Sequence, residues 1–164
     1  MHLVVHGVRR WTKKREGYSM RIYLDNCCYN RPYDDQTQLR ISLETQAKLL
    51  IQNMIQLKQL DLVASYVLLY ENSRNPHENR RKIIYNFIKQ NVSLYIDVDR
   101  GDEVKLMADE IIATGIKVAD AYHVASAIIG NAAYFLTTDN RLLKYNTNRI
   151  VLLDPVSFIR HLED

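Results

Sequence analysis

The chain has 164 residues, of which 47% are apolar and 25% charged. This length suits one domain with one core, and the composition excludes disordered, collagenous and low-complexity proteins. The formal charge of +3 is uneven, because residues 1–19 carry five Arg or Lys and one Glu, whereas residues 20–164 carry 17 basic and 18 acidic residues. A nearly neutral body must hold any nucleic acid through local basic patches or metal ions.

No apolar run approaches the roughly 18 to 20 residues that span a bilayer, and the first residues lack the apolar core of a secretory signal. Cys27 and Cys28 are adjacent, so they form neither a disulfide framework nor a zinc motif. We therefore expect a cytoplasmic protein with no membrane partner. Because Met20 directly precedes the first strand-like segment, we interpret residues 1–19 as a basic extension, either disordered or an over-called start, with a nucleic-acid-binding arm as the alternative.

Strand-like and helix-like segments alternate after Met20. Short apolar runs predict five strands, at residues 21–24, 61–65, 93–98, 134–137 and 150–153. Apolar residues at helical spacing, or capping signals, predict helices at residues 38–58, 66–72, 78–90, 104–112 and 119–129, and a last one from Pro155. Such alternation predicts a parallel sheet with helices on both faces, a three-layer α/β/α fold in one domain over residues 20–164.

Four acidic residues occupy related places in this predicted order. Asp25 directly follows the first strand, and Asp139 follows the fourth. Glu71 lies in the short helix after the second strand, and Asp120 opens the apolar helix that leads to the fourth. Ligands of open parallel sheets bind beyond the carboxyl ends of the strands. We therefore expect these four side chains at one edge of the sheet.

Each acid also has a purely structural interpretation. Asp25 could be a turn residue, and Asp139 could cap the segment that follows it. Glu71 could pair with Arg74, three residues on, and Asp120 with the dipole of its own helix. The four together favour a shared role, because converging carboxylates repel one another unless cations neutralise them.

Carboxylate oxygens are ligands that suit Mg²⁺ or Mn²⁺, so the acids predict a metal site with all four as catalytic and metal-binding residues. Such a site suits metal-assisted hydrolysis of phosphodiester bonds. Basic residues near the acids in sequence are candidates for binding RNA phosphates: Arg31, Arg74, Arg80, Arg81, Arg141 and Lys144.

Four segments resemble the PIN domain family, in particular its VapC-like toxin ribonucleases of type II toxin–antitoxin systems. They are YLDNCCYNRP with Asp25, SYVLLYE ending at Glu71, DAYHVASA starting at Asp120, and FLTTD ending at Asp139. The resemblance spans residues 21–162. It implies a Mg²⁺- or Mn²⁺-dependent endoribonuclease with a five-stranded parallel sheet, often dimeric and inhibited by a cognate antitoxin protein.

Three further residues have supporting roles in this interpretation. Asn26 stands where many relatives have a small hydroxyl residue, and Thr137 matches a threonine two positions before the last acid. His123 also resembles a common family residue, although a helix-packing histidine would occupy the same position. Arg141 stands where many relatives carry another acid.

Other functions remain open at this level. A catalytically silent PIN-like module that binds protein or RNA would keep the same acids. A phosphotransfer receiver domain is disfavoured, because it needs paired acids after its first strand and an acceptor after its third. Tyrosine is enriched at interfaces, and the chain has 11 tyrosines, so we expect a homodimer. The candidate interface residues are Tyr66, Tyr70, Tyr85 and Tyr95.

Overall fold

The computed structural model describes residues 20–164. Five parallel strands form one sheet in the order β3-β2-β1-β4-β5. Their bounds are β1 Arg21–Leu24, β2 Asp61–Ser65, β3 Val92–Ile96, β4 Tyr134–Leu136 and β5 Val151–Leu153. Helices cover both faces of this sheet. The predicted α/β fold class is confirmed.

Seven α-helices connect and cover the strands in the described part of the chain. They are α1 Asn26–Asn30, α2 Leu39–Gln56, α3 Tyr66–Ser73, α4 Glu78–Asn91, α5 Gly101–Ile112, α6 Val118–Ile129 and α7 Pro155–Glu163. Ser65 caps α3, since its Oγ accepts the Leu68 amide at 3.2 Å. The cap matters for the site because Glu71 lies on the same helix.

The central strand β1 is buried on both faces of the sheet. Its residues Ile22, Tyr23 and Leu24 are fully buried, as expected for a parallel strand covered on both faces. Neighbouring strands lie on each side of it, with Tyr23 opposite Val63 of β2 and Phe135 of β4. The buried middle of β1 leads directly into Asp25 at the sheet edge.

The strand order changes direction at β1. The chain passes from β1 to β2 and β3 on one side, then returns to place β4 on the other side of β1. The topological switch point therefore lies between β1 and β4, and α/β proteins bind ligands beyond the carboxyl ends of the strands at such a point. Asp25 follows β1 there, and residues 137–139 follow β4.

Three details differ from the sequence expectations. Helix α1 was not predicted, because its five residues are too short to show periodicity; Asp25 caps it by accepting the Asn26 amide. Strand β3 ends at Ile96 rather than at residue 98, because Asp97 accepts the Val98 amide at 2.7 Å and starts a 3-10 turn. Helix α2 ends at Gln56, two residues early, and Lys58 follows with φ of 59°.

Within residues 20–164, no helix is long and apolar enough to cross a membrane. The basic extension at residues 1–19 lies outside the described residues. The interpretation of that segment therefore stays a prediction.

Candidate metal centre

Asp25 is the most firmly held acid of the sheet edge. Only 7% of its surface is exposed. Oδ1 accepts the Asn26 amide at 2.8 Å, and Oδ2 accepts the Thr137 hydroxyl at 2.8 Å. The Cys27 thiol also lies 3.4 Å from Oδ2. These neutral donors fix the carboxylate in place and leave its negative charge without a basic partner.

Thr137 joins the two strand ends that flank the switch point. Its side chain is fully buried, and besides donating to Asp25 it accepts the Asp139 amide at 3.1 Å. It therefore sets the distance between the loop after β4 and the end of β1. Asp139 itself accepts the Arg141 amide at 2.8 Å through Oδ1 and so closes a turn, but it does not cap the 3-10 helix that follows, whose N-cap is Arg141.

Glu71 reaches the same edge from α3. Oε1 accepts the Asn26 side-chain amide at 3.3 Å, and Oε2 contacts His123 Nε2. The hydrogen bond with His123 lowers the pKa of Glu71, so the carboxylate is ionised at neutral pH. The expected pair with Arg74 does not form, because Arg74 donates to the Tyr70 hydroxyl at 3.0 Å.

His123 lies on α6, one turn after Asp120, and is 2% exposed. Burial lowers its pKa, but the Glu71 hydrogen bond and the charges of Asp25 and Asp120 outweigh burial and raise it overall. Its Nδ1 is 2.8 Å from the hydroxyl of Tyr23. His123 is thus part of the acidic cluster and also of a buried polar chain behind it.

Two residues of that buried chain were missed by sequence reasoning. Tyr23 lies in the middle of β1, and its hydroxyl is 2.7 Å from Ser65 Oγ at the end of β2. In sequence, Tyr23 looks like one more apolar strand residue. The available signal was chemical: a buried tyrosine hydroxyl needs a hydrogen-bond partner, and the nearest polar strand ends supply it.

Asp120 lies in the first turn of α6, and its pKa is affected by the charges of the other acids. Burial raises its pKa, and the charges of Asp25, Asp139 and Glu71 raise it further. Like charges act this way only over short distances in a partly buried site. Of the four sequence-predicted acids, the structure brings Asp25 and Glu71 together with His123, whereas Asp120 and Asp139 lie outside that group and act on it through their charges.

The donor atoms of this cluster suit a divalent cation. Asp25, Glu71 and His123 each have one potential ligand atom, and these atoms lie within 4.8 Å of one another. Both ring nitrogens of His123 are engaged, by Tyr23 and by Glu71, so in this arrangement the carboxylates are the ligands and His123 supports them. Across residues 20–164, no Lys or Arg forms an ion pair with Asp25, Asp120 or Asp139. Partly buried carboxylates need neutralisation, and hard oxygen ligands favour Mg²⁺ or Mn²⁺. Asp25, Glu71 and His123 therefore form a group that can hold a metal ion.

The predicted phosphate-binding residues fall into two groups. Arg31 pairs with Glu44 at 3.0 Å, Arg80 lies 4.9 Å from the centre of the Tyr33 ring, and Arg81 donates to the Asn75 carbonyl. The other three are exposed and form no ion pair within the described residues, although Arg74 donates to the Tyr70 hydroxyl; they are Arg74, Arg141 and Lys144.

The sequence matches no protein-family model, and no curated protein is significantly similar to it. Among solved structures, the fold is similar to a chain in the crystal structure of FitAcB from Neisseria gonorrhoeae. The two chains are 16% identical, the alignment covers 82% of this chain and 97% of that chain, and the TM-score is 0.49.

Proposed function

We propose that this protein is a Mg²⁺- or Mn²⁺-dependent endoribonuclease that hydrolyses RNA phosphodiester bonds. One observation carries the proposal: Asp25 and Glu71 meet His123 with ligand atoms within 4.8 Å of one another, and Asp25, Asp120 and Asp139 have no Lys or Arg partner among the described residues. A cluster of this charge is costly unless cations occupy it.

The chain's own residues have distinct tasks in this function. Asp25, Glu71, Asp120 and Asp139 would hold the metal, Thr137 orients Asp25, and Asn26 orients Glu71. When bound, Mg²⁺ or Mn²⁺ lowers the pKa of a coordinated water and stabilises the charge that develops on the phosphate. The exposed side chains of Arg74, Arg141 and Lys144 bind the flanking phosphates as positive charges.

The biological setting follows from the sequence resemblance. We place the enzyme in the cytoplasm as the toxin of a toxin–antitoxin pair, with a cognate antitoxin protein as its inhibitor. A catalytically silent binding module is the alternative, since it would keep the same acidic residues. Incubation of labelled cellular RNA with the protein separates the two functions: the nuclease cuts RNA with Mn²⁺ and not with chelator, and the binding module cuts it under neither condition.

Added Mn²⁺ is expected to stabilise the protein against heat. A ligand present at about a hundred times its dissociation constant stabilises the folded state by about 2.7 kcal/mol, which raises the melting temperature of a domain this size by roughly 5–10 °C. The measurement is a thermal melt in chelator and in Mn²⁺. The matched control is Asp97→Asn, which removes a lone strand-end acid and should keep the full shift. A wild type that gains nothing from Mn²⁺ would refute the metal site.

We also propose a homodimer through α3 and α4, which pack against each other. Tyr70 and Tyr85 are 63% and 43% exposed on these helices, whereas Tyr66 and Tyr95 are partly buried. Light scattering is expected to show a dimer for the wild type and a monomer for Tyr85→Glu. Leu106→Glu, at a 70% exposed position on α5, is the control and should remain dimeric. A monomeric wild type at high concentration would contradict the dimer.

A further inference from the structure

Helix α3 is fixed by side chains at both of its ends. At its start, Ser65 Oγ accepts the Leu68 amide, and the same oxygen lies 2.7 Å from the Tyr23 hydroxyl. In its second turn, Glu71 contacts His123, whose other ring nitrogen is 2.8 Å from the same Tyr23 hydroxyl. The polar chain from Ser65 through Tyr23 and His123 therefore returns to the helix on which it began.

The members of this chain are buried far more deeply than the carboxylate they reach. Ser65 and Tyr23 are fully buried and His123 is 2% exposed, whereas the side chain of Glu71 is 44% exposed. A half-exposed glutamate has several rotamers and gains a fixed orientation only from its contacts. His123 is the buried, rigid contact, because both of its ring nitrogens are used.

The hydrogen positions follow from the groups that face each other. Nε2 of His123 faces the Glu71 carboxylate, which accepts hydrogen bonds, so Nε2 carries a proton and donates it. Nδ1 then either accepts from the Tyr23 hydroxyl or donates to it. A hydroxyl can do both, so Tyr23 satisfies Nδ1 whether the ring is neutral or charged. Phenylalanine at this position would keep the stacking on Phe135 and lose this partner.

We propose that Tyr23 is a positioning residue: through His123, it fixes the Glu71 carboxylate in the orientation that the metal centre uses. That a metal binds here rests on the proposed function. That Tyr23 positions Glu71 rests on the hydrogen bonds among the described residues. Ser65 is the far end of the same chain and links the capping of α3 to the direction in which Glu71 points.

The first test needs no metal. In the metal-free, ¹⁵N-labelled protein, the proton on Nε2 of His123 is expected to give a sharp, slowly exchanging NMR signal in the wild type and a broadened one in Tyr23→Phe. Tyr134→Phe is the matched control, because the Tyr134 hydroxyl also lies within hydrogen-bond distance of a histidine nitrogen, 2.7 Å from Nε2 of His161, away from the acids. An unchanged signal in Tyr23→Phe would overturn the proposal.

The second test measures Mn²⁺ affinity of folded protein. Loss of a partner that orients a metal ligand costs about 10–100-fold in affinity, so we expect about tenfold weaker binding for Tyr23→Phe and no change for Tyr134→Phe. In a Glu71→Gln background, Tyr23→Phe should cause no further loss. Equal losses in both backgrounds would show that Tyr23 does not act through Glu71 and would overturn the proposal. If the wild type binds no Mn²⁺, the proposed function fails, and the NMR signal alone decides the positioning role.

Discussion

Asp120→Asn is expected to abolish RNA hydrolysis and, at the same time, to raise the melting temperature of the metal-free protein. Asp120 is half-buried, and burial together with the charges of Asp25, Asp139 and Glu71 opposes its ionised form. Asparagine keeps the shape and removes the charge, so repulsion within the cluster falls and the folded state gains stability. Activity should fall by more than about a hundredfold, because even the loss of a residue that only orients a metal ligand costs 10–100-fold.

The measurement combines a thermal melt in chelator with an RNA cleavage assay in Mn²⁺. Asp97→Asn is the control for both, since Asp97 also follows a parallel strand but caps only its own turn. Asparagine caps about as well as aspartate, so Asp97→Asn should leave the melting temperature nearly unchanged and keep its activity. If Asp120→Asn behaves in the same way, Asp120 is a structural acid and the metal centre is wrong.

Asp25→Asn tests the repulsion between the carboxylates less clearly, because the substitution also changes the hydrogen bonds of Asp25. Both carboxylate oxygens accept hydrogen bonds, from the Asn26 amide and from the Thr137 hydroxyl. The amide group of asparagine can replace only one of these acceptors, and its NH₂ would face a donor. The loss of a hydrogen bond offsets the relief of repulsion, so the melting temperature should change little while activity is lost.

The sequence was informative about the site because the acids stand at the ends of elements. Asp25 and Glu71 follow segments with clear strand or helix patterns, and parallel strands bring their carboxyl ends to one edge. The prediction that the acids meet therefore needed no knowledge of strand order. The structure adds that β1 is the central strand, so Asp25 lies at the switch point of the sheet.

What could not be predicted depends on contacts between distant residues. Tyr23 and His123 are 100 positions apart, and Tyr23 and Ser65 are 42 apart, so their hydrogen bonds exist only once β1, β2 and α6 have packed together. Nothing in the local sequence distinguishes Tyr23 from a packing residue. The same holds for Lys48, whose position on α2 gives no sign that its charged group is buried.

Lys48 is the second residue for which we expect a large effect. It is 6% exposed, donates to Gln52 at 2.6 Å, and lies 5.7 Å from the centre of the Tyr29 ring and 5.9 Å from that of Phe87. Among the described residues no carboxylate forms an ion pair with it. Burial without such a partner lowers the pKa of Lys48 from 10.5 to about 8.

The sign of the resulting pH dependence follows from proton binding. Between pH 8 and 10, the unfolded chain keeps a proton on Lys48 that the folded protein has released, so stability rises with pH in this window. Below pH 8 both states are protonated, and the full cost of burying the ammonium is present. At about 1.4 kcal/mol for each pKa unit, that cost is on the order of 3 kcal/mol at neutral pH.

Lys48→Met is therefore expected to stabilise the protein at pH 7 by about 1–3 kcal/mol, because methionine fills the same space without a charge and loses only the contacts with the two rings and Gln52. Denaturant unfolding at pH 7 and pH 9.5 should show the advantage of the variant shrinking as the wild type loses its buried proton. Tyrosine and cysteine titrations cancel in this comparison, since both proteins share them.

Lys89→Met is the matched control: Lys89 lies 5.9 Å from the Tyr85 ring but is exposed, so its removal should change stability by less than about 0.5 kcal/mol at either pH. A Lys48→Met variant less stable than the wild type, with a difference independent of pH, would show that the ammonium of Lys48 is solvated in the folded protein.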